Sequence, residues 1–296
     1  MATKSESSKL QNKKQNKQKN KWQNRKLNKV QDKVKNQEQK TTLPPFDVSS
    51  FRSECQSAFE LYRPYLPEIS REQEEQLLTY LTLVAETNRS LNLTAISKAE
   101  DMLLLHLIDS WTLLPLLDRE LAAKSQAEFR FLDIGSGAGF PGIPLKLLRP
   151  QIELCMLDAL QKRIHFLQRA GGQLALDHGC TALHARAEEA GRLPEYRERF
   201  DLVTARAVAD LPLLLELALP FVKPGGLFIA MKAEAEEEIR RAEKAAGLLS
   251  ASREEVCELE LADSGVKRKL ILYRKLRPCP SRYPRTFAKM KKAPLG

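Results

Sequence analysis

Asp133, Gly135, Gly137 and Gly139 stand at every second position in FLDIGSGAGFPGIP, directly after a short apolar run. An acid at a strand end followed by glycines suits a ligand that lies against the main chain. Without Cβ a glycine turns with positive φ and lets that ligand approach closely. Two chemistries fit. Gly137, Gly139 and Gly142 satisfy G-x-G-x-x-G, the dinucleotide fingerprint, and Asp158 follows 21 residues after Gly137, where an acid would accept ribose hydroxyls. Asp133, Gly135, Gly137 and Gly139 equally satisfy acid-x-G-x-G-x-G, the opening motif of many S-adenosylmethionine (SAM) sites. Asp133 separates the two, because a carboxylate there repels a passing pyrophosphate, whereas SAM brings an ammonium and a sulfonium and no phosphate.

Other positions extend the site. Asp158 ends the strand ELCMLD, placed for both ribose hydroxyls, although an aspartate there also reads as an N-cap for the next helix. Glu188 lies just past TALHAR, where an adenine ring would rest. Arg206 ends FDLVTAR, and its guanidinium suits a guanine edge, a phosphate or a carboxylate; the plain alternative is a salt bridge to Asp201 or Asp210. His106, in an apolar helical run, reads as a hydrogen-bonded core histidine, and Phe140 as pocket wall or packing. TARAVAD has neither a Pro-Pro-aromatic motif nor a Pro-Cys nucleophile, and the only Pro-Cys, Pro278–Cys279, lies beyond the last strand. No side chain is therefore predicted to act as nucleophile, general acid or general base. The five cysteines are too dispersed for a metal site and read as reduced thiols.

The elements that must position these residues follow from periodicity. After residue 128, seven apolar runs read as strands separated by amphipathic helices, a pattern of parallel strands with crossover helices whose ligands bind at the strands' carboxyl ends. The expected fold is α/β, a seven-stranded Rossmann-like sheet of the SAM-dependent methyltransferase type over residues 128–296. EQLLTYLTLVAETN and DMLLLHLIDSWTLLPLL carry helical spacing, so residues 46–127 read as a helical cap, with RSLNLTAIS as a loop ending in an N-cap at Ser97. Residues 1–45 form a Lys/Asn/Gln-rich tail with little to bury, expected to be disordered, and either a loose phosphate-binding arm or a solubilising extension.

The charge is divided along the chain. Residues 1–40 hold 13 Lys and Arg against 3 acids and residues 267–296 hold 11 against none, whereas the remainder holds 24 against 35. Basic ends on an acidic body suit contact with a polyanion. SRYPRTFAKMKK interleaves Tyr283 and Phe287 with Arg282, Arg285, Lys289, Lys291 and Lys292, a mixture expected to pair phosphates and stack unpaired bases. With no apolar run long enough to span a bilayer and no signal-like segment, the expectation is a cytoplasmic monomer without membrane contact.

NLTAI (92–96), HLIDS (106–110), FLDIGSGAGFPGIPL, LDALQKRIHFL, the ARAEE segment and TARAVADL together closely resemble the RsmG family, also called GidB, over residues 50–292. That resemblance implies a bacterial methyltransferase that uses SAM to methylate N7 of one guanine in the 16S rRNA of the small ribosomal subunit. By position it implies SAM contacts at Gly135, Phe140, Asp158, Ala159, Leu160, Ala187, Glu188 and Arg206, beside the loop residues Asp133 and Gly137. Thr87–Asn88 stands where the family commonly has Trp-Asn, and PRTFAKMKKAPL lacks the glycine of the family's PRKAGTP run, departures that bear on RNA contacts. The competing classes are an NAD-dependent oxidoreductase and a non-catalytic RNA-binding assembly factor.

Overall fold

The computed structural model describes residues 44–124, 128–176 and 178–296. The expected disorder of the N-terminal tail falls, up to residue 43, outside the described residues. From Val48 to Gly296 the chain forms one compact unit.

Its centre is a seven-stranded sheet in the order β3-β2-β1-β4-β5-β7-β6. The strands are β1 (Phe129–Ile134), β2 (Ile152–Asp158), β3 (Cys180–His184), β4 (Phe200–Arg206), β5 (Val222–Lys232), β6 (Ala251–Glu260) and β7 (Lys267–Lys275). β1 to β5 are parallel, as the alternation predicts. β7 corrects that pattern by running antiparallel between β5 and β6. The connection 261–266 is the reason, because a parallel crossover takes roughly a dozen residues or more and a shorter one must fold back as a hairpin. β1 and β4 are buried along nearly their whole length, polar residues Asp133, Asp201 and Thr204 included, so FRFLDI and FDLVTAR do not alternate strictly between apolar and polar residues. From β1 the chain winds outward to β2 and β3, then returns to β4 on the other side of β1. The crevice of such a sheet opens at that reversal, beyond the carboxyl ends of β1 and β4.

The cap comprises α1 (Val48–Tyr62), α2 (Arg71–Leu91), α3 (Ala99–Met102), a π-helical turn (Leu103–Ile108), α4 (Asp109–Trp111) and α5 (Leu114–Ala122). α2 opens on a capping box, with Ser70 and Gln73 each accepting the other's amide, and closes at Asn92 in the left-handed region. It therefore consumes the first residues of the expected RSLNLTAIS loop. The Ser97 cap is also corrected. Helix α3 starts one residue later, at an N-cap of Lys98 with no side-chain bond, which leaves Ser97 outside the capping position. Leu77, Leu78, Tyr80, Leu81 and Val84 line one buried face of α2, each large side chain contributing about 1.5–3 kcal/mol of transfer free energy. No described helix is long and apolar enough to cross a membrane.

The remaining helices are α6 (Gly142–Leu148), α7 (Gln161–Gln173), α8 (Ala187–Ala190), α9 (Leu211–Ala218), α10 (Glu236–Leu248) and α11 (Phe287–Lys292). The C-terminal segment differs from the sequence expectation. Tyr283 is buried, in one core cluster with Leu214, Cys279 and Met290, rather than open to bases. Arg285 is not free for phosphate either. Its Nε and Nη2 fork onto the Glu216 carboxylate at 2.8 and 2.6 Å, and its own amide donates to the same Oε1 at 2.8 Å. Arg197 adds bonds to the carbonyls of Cys279 and Tyr283. Arg282, Phe287, Lys289, Lys291 and Lys292 stay exposed. Truncation after Lys275 would thus strip part of the core, so loss of RNA binding on truncation could not be assigned to the basic residues.

Glu216 is fully buried, so Arg285→Met leaves a carboxylate without its cation, and the expected loss is about 3–5 kcal/mol in urea unfolding at pH 7. Glu216→Leu combined with Arg285→Met should restore most of it; an Arg285→Met midpoint equal to the parent's would show that the pair anchors nothing.

Candidate active site

The loop after β1 is built around a buried acid. Asp133, with no solvent exposure, accepts the Gly142 amide on Oδ2 at 3.2 Å, and its Oδ1 has no hydrogen-bond partner among the described residues. Burial pushes its pKa up to about 6 against the opposing pull of the Gly142 amide. Gly135, Gly137 and Gly139 all adopt positive φ, at 69°, 59° and 97°. The loop is hemmed from both sides. A Cβ on Gly139 would lie 2.8 Å from the Tyr80 hydroxyl of α2, and one on Gly135 would lie 2.8 Å from Val208 after β4. Tyr80 also donates to the Ala138 carbonyl at 2.5 Å. The amides of Gly135 and Ser136 both turn inward to the Leu157 carbonyl, at 2.7 and 3.2 Å. Gly142, the third glycine of the dinucleotide fingerprint, spends its amide on Asp133.

Asp158 ties the second strand to this loop. Its Oδ2 accepts from the Gly137 amide at 3.1 Å and from Arg163 at 3.2 Å, and its Oδ1 accepts, among the described residues, only the Leu160 amide, at 2.9 Å. The N-cap position of α7 is Leu160, so Asp158 shapes the turn into that helix without being its cap. Ala159 and Leu160 are exposed at the end of β2, and Ala187 and Glu188 begin α8 beyond β3.

At the end of β4, Arg206 pairs with neither Asp201 nor Asp210. Asp201 is held by Lys124 and Lys223 and Asp210 by Arg241, whereas Arg206 reaches the cap. Its Nη1 donates to the Leu105 carbonyl at 3.0 Å and to Asp109 Oδ2 at 3.1 Å, and its Nη2 to His106 Nδ1 at 3.2 Å. A guanidinium cannot accept, so the His106 proton sits on Nε2 and faces Thr94 Oγ1 at 2.9 Å. Burial first, and the Arg206 charge second, pull His106 down to about 3, so it is neutral at physiological pH. Its ring stacks on Phe140 at 4.3 Å, with Tyr80 tilted against Phe140 at 5.0 Å and the Arg206 guanidinium 5.6 Å from the same ring. Phe140 is thus both wall and packing.

These groups enclose a crevice of about 360 Å³ at the reversal point of the sheet. Gly135, Gly137, Phe140 and Arg206 line it; Asp133 lies beneath, and Asp158, Ala159, Leu160, Ala187 and Glu188 lie along the strand ends to one side. A larger cavity of about 730 Å³, beside the β6–β7 hairpin, meets the crevice only at Arg268.

The family described as "rRNA small subunit methyltransferase G", GidB, matches residues 73–270. The chain belongs to the GidB family. Curated relatives named "Ribosomal RNA small subunit methyltransferase G" agree along most of their length. The protein of Acetivibrio thermocellus is 44% identical over 76% of this chain and 89% of its own. That of Symbiobacterium thermophilum is 46% identical over 75% and 89%, and that of Clostridium botulinum 39% over 77% and 93%. Among the charged residues lining the crevice, Asp109, Arg163 and Arg268 escaped the sequence reading, as did Tyr80, buried behind the loop. Tyr80 and Asp109 sit inside apolar helical runs, where a polar residue on the buried face was the available signal. Arg268, in the charged stretch KRK, carried none.

The Asp133 carboxyl is easier to protonate folded than unfolded, so its contribution to stability is full below about pH 4 and is lost as pH rises through about 6. In urea titrations from pH 4 to 8, Asp133→Asn should gain about 3 kcal/mol relative to the parent across that window. A difference between the two that stays constant with pH would refute the buried-carboxylate account.

Proposed function

We propose that this chain is a SAM-dependent methyltransferase that places a methyl group on N7 of a guanine in the 16S rRNA of the small ribosomal subunit. The observation that carries the choice of SAM over a dinucleotide is the Asp133–Gly142 bond. It fixes a carboxylate under the loop, where it would repel a pyrophosphate. A cradle with a buried acid and inward-turned amides suits an ammonium and a sulfonium. In this reading the loop residues Asp133, Gly135, Gly137 and Phe140 form the cradle. Asp158 takes the ribose hydroxyls through Oδ1, Ala159 and Leu160 flank it, and Ala187 and Glu188 border the adenine.

SAM, when bound, supplies a methyl on a positively charged sulfur. Guanine N7 presents an in-plane lone pair with no proton, so the chain has no proton to remove and needs no general base. His106 fits that requirement, since its Nδ1 lone pair is occupied by Arg206 and its ring is uncharged. The work left to the protein is orientation, which supplies up to about 7–11 kcal/mol. Arg206 has a further constraint. Arginine commonly forks onto guanine O6 and N7, but a donor on N7 would occupy the lone pair that must receive the methyl. Its Nε and remaining Nη2 hydrogen therefore serve a carboxylate or O6. The exposed lysines of α11 and the basic chain ends supply contacts to RNA phosphates.

With labelled SAM and unmethylated 30S particles, free 16S rRNA and total protein as acceptors, label should enter RNA alone and map to guanine N7. Calorimetric titration should show saturable binding of SAM where NADH shows none. Arg206→Lys, which keeps the charge and loses the fork, should cut kcat/KM about tenfold or more. NADH binding without SAM binding would favour the oxidoreductase, and SAM binding without transfer to any RNA would favour the assembly factor.

A further inference from the structure

Asp109, 2% exposed, carries two arginines from two different strands. Arg206 of β4 donates to Oδ2 at 3.1 Å and Arg268 of β7 donates to Oδ1 at 3.0 Å. All three side chains line the crevice that contains Gly135, Ser136, Gly137 and Ala138. Asp109 is the only acid among the described residues lining it. The other arginine there, Arg163, is already offset by Asp158 from outside the lining, and His106 is neutral. The Asp109 cluster itself therefore holds two guanidinium charges against one carboxylate; the Asp133 carboxyl beneath the loop lies outside it and is the same in every variant below.

SAM and its product differ at one atom's charge. Both carry the same ammonium and carboxylate, but the sulfonium of SAM becomes a neutral thioether in S-adenosylhomocysteine once the methyl has left. Each positive charge added beside the crevice thus opposes SAM while leaving S-adenosylhomocysteine nearly indifferent. We propose that Asp109 is a positioning residue that orients Arg206 and, by offsetting one of the two guanidinium charges, sets how well the crevice holds the methyl donor relative to the spent product. This rests on the SAM reading above.

The sign of each variant follows. Asp109→Asn is close in shape and adds one net positive charge, so SAM should weaken more than S-adenosylhomocysteine. Arg268→Gln removes one, so the bias should move the other way. A packing defect would weaken both ligands together. Calorimetric titration of both ligands into the full chain, with thermal unfolding as the folding control, reads the ratio of Kd for SAM to Kd for S-adenosylhomocysteine. That ratio should rise about three- to tenfold in Asp109→Asn and fall by a similar factor in Arg268→Gln. It should return to within about twofold of the parent in the double variant. Both opposing shifts should shrink in high salt. Ratios unchanged in the single variants overturn the proposal, and if Asp109→Asn does not fold, Arg268→Gln decides alone. A parent chain that binds neither ligand overturns the SAM reading itself.

Discussion

The Asp133 carboxylate lies under the glycine loop without solvent contact, and most of the crevice is arranged around that fact. A lone buried carboxylate is unfavourable unless donors reach it, and the donor supplied is the Gly142 amide at the start of α6. Holding that amide draws the loop tight over the end of β1. The tightness in turn demands positive φ at Gly135, Gly137 and Gly139, positions where any Cβ adds backbone strain. Tyr80 and Val208 then close on the loop at distances a Cβ would violate at Gly139 and Gly135. One interaction thereby couples strand, loop, cap and the segment after β4.

The cap does more than cover the sheet. Its π-helical turn presents the Leu105 carbonyl and His106 to Arg206, and Asp109 one turn on meets both Arg206 and Arg268. A π turn is a costly local geometry that recurs at functional sites, and here it lies where cap and sheet exchange charge. The result is an arginine with three of its donors committed to protein and its remaining edge uncommitted among the described residues. Arg206 is thus fixed in orientation by protein contacts alone.

The basic chain ends illustrate how charge composition and tertiary role diverge. A reading by charge and aromatic content assigns SRYPRTFAKMKK wholesale to RNA. Folding divides it, burying Tyr283 and spending Arg285 on Glu216 while Arg282, Phe287 and the lysines of α11 face outward. The division depends on Glu216, an acid in the otherwise apolar α9 that would be untenable without a cation. Nothing local to residues 281–292 announces that partner, which lies about 70 residues earlier in the chain.

Sequence alone determined what repeats along the chain or lies within a few residues. Strand and helix order, the glycine loop and the parallel arrangement of β1 to β5 all follow from local periodicity and from the sterics of glycine. Family membership was legible for the same reason, since its motifs are short and contiguous. Tertiary structure decided the partners. Arg206 has Asp201 and Asp210 within a few residues, yet the strand end carries it to Asp109, 97 positions away, because the cap sits over the reversal point of the sheet. The antiparallel β7 and the sharing of Asp109 with Arg268 are likewise long-range. Buried charges take whichever counter-charge the packed elements bring to them, and sequence spacing does not encode that choice.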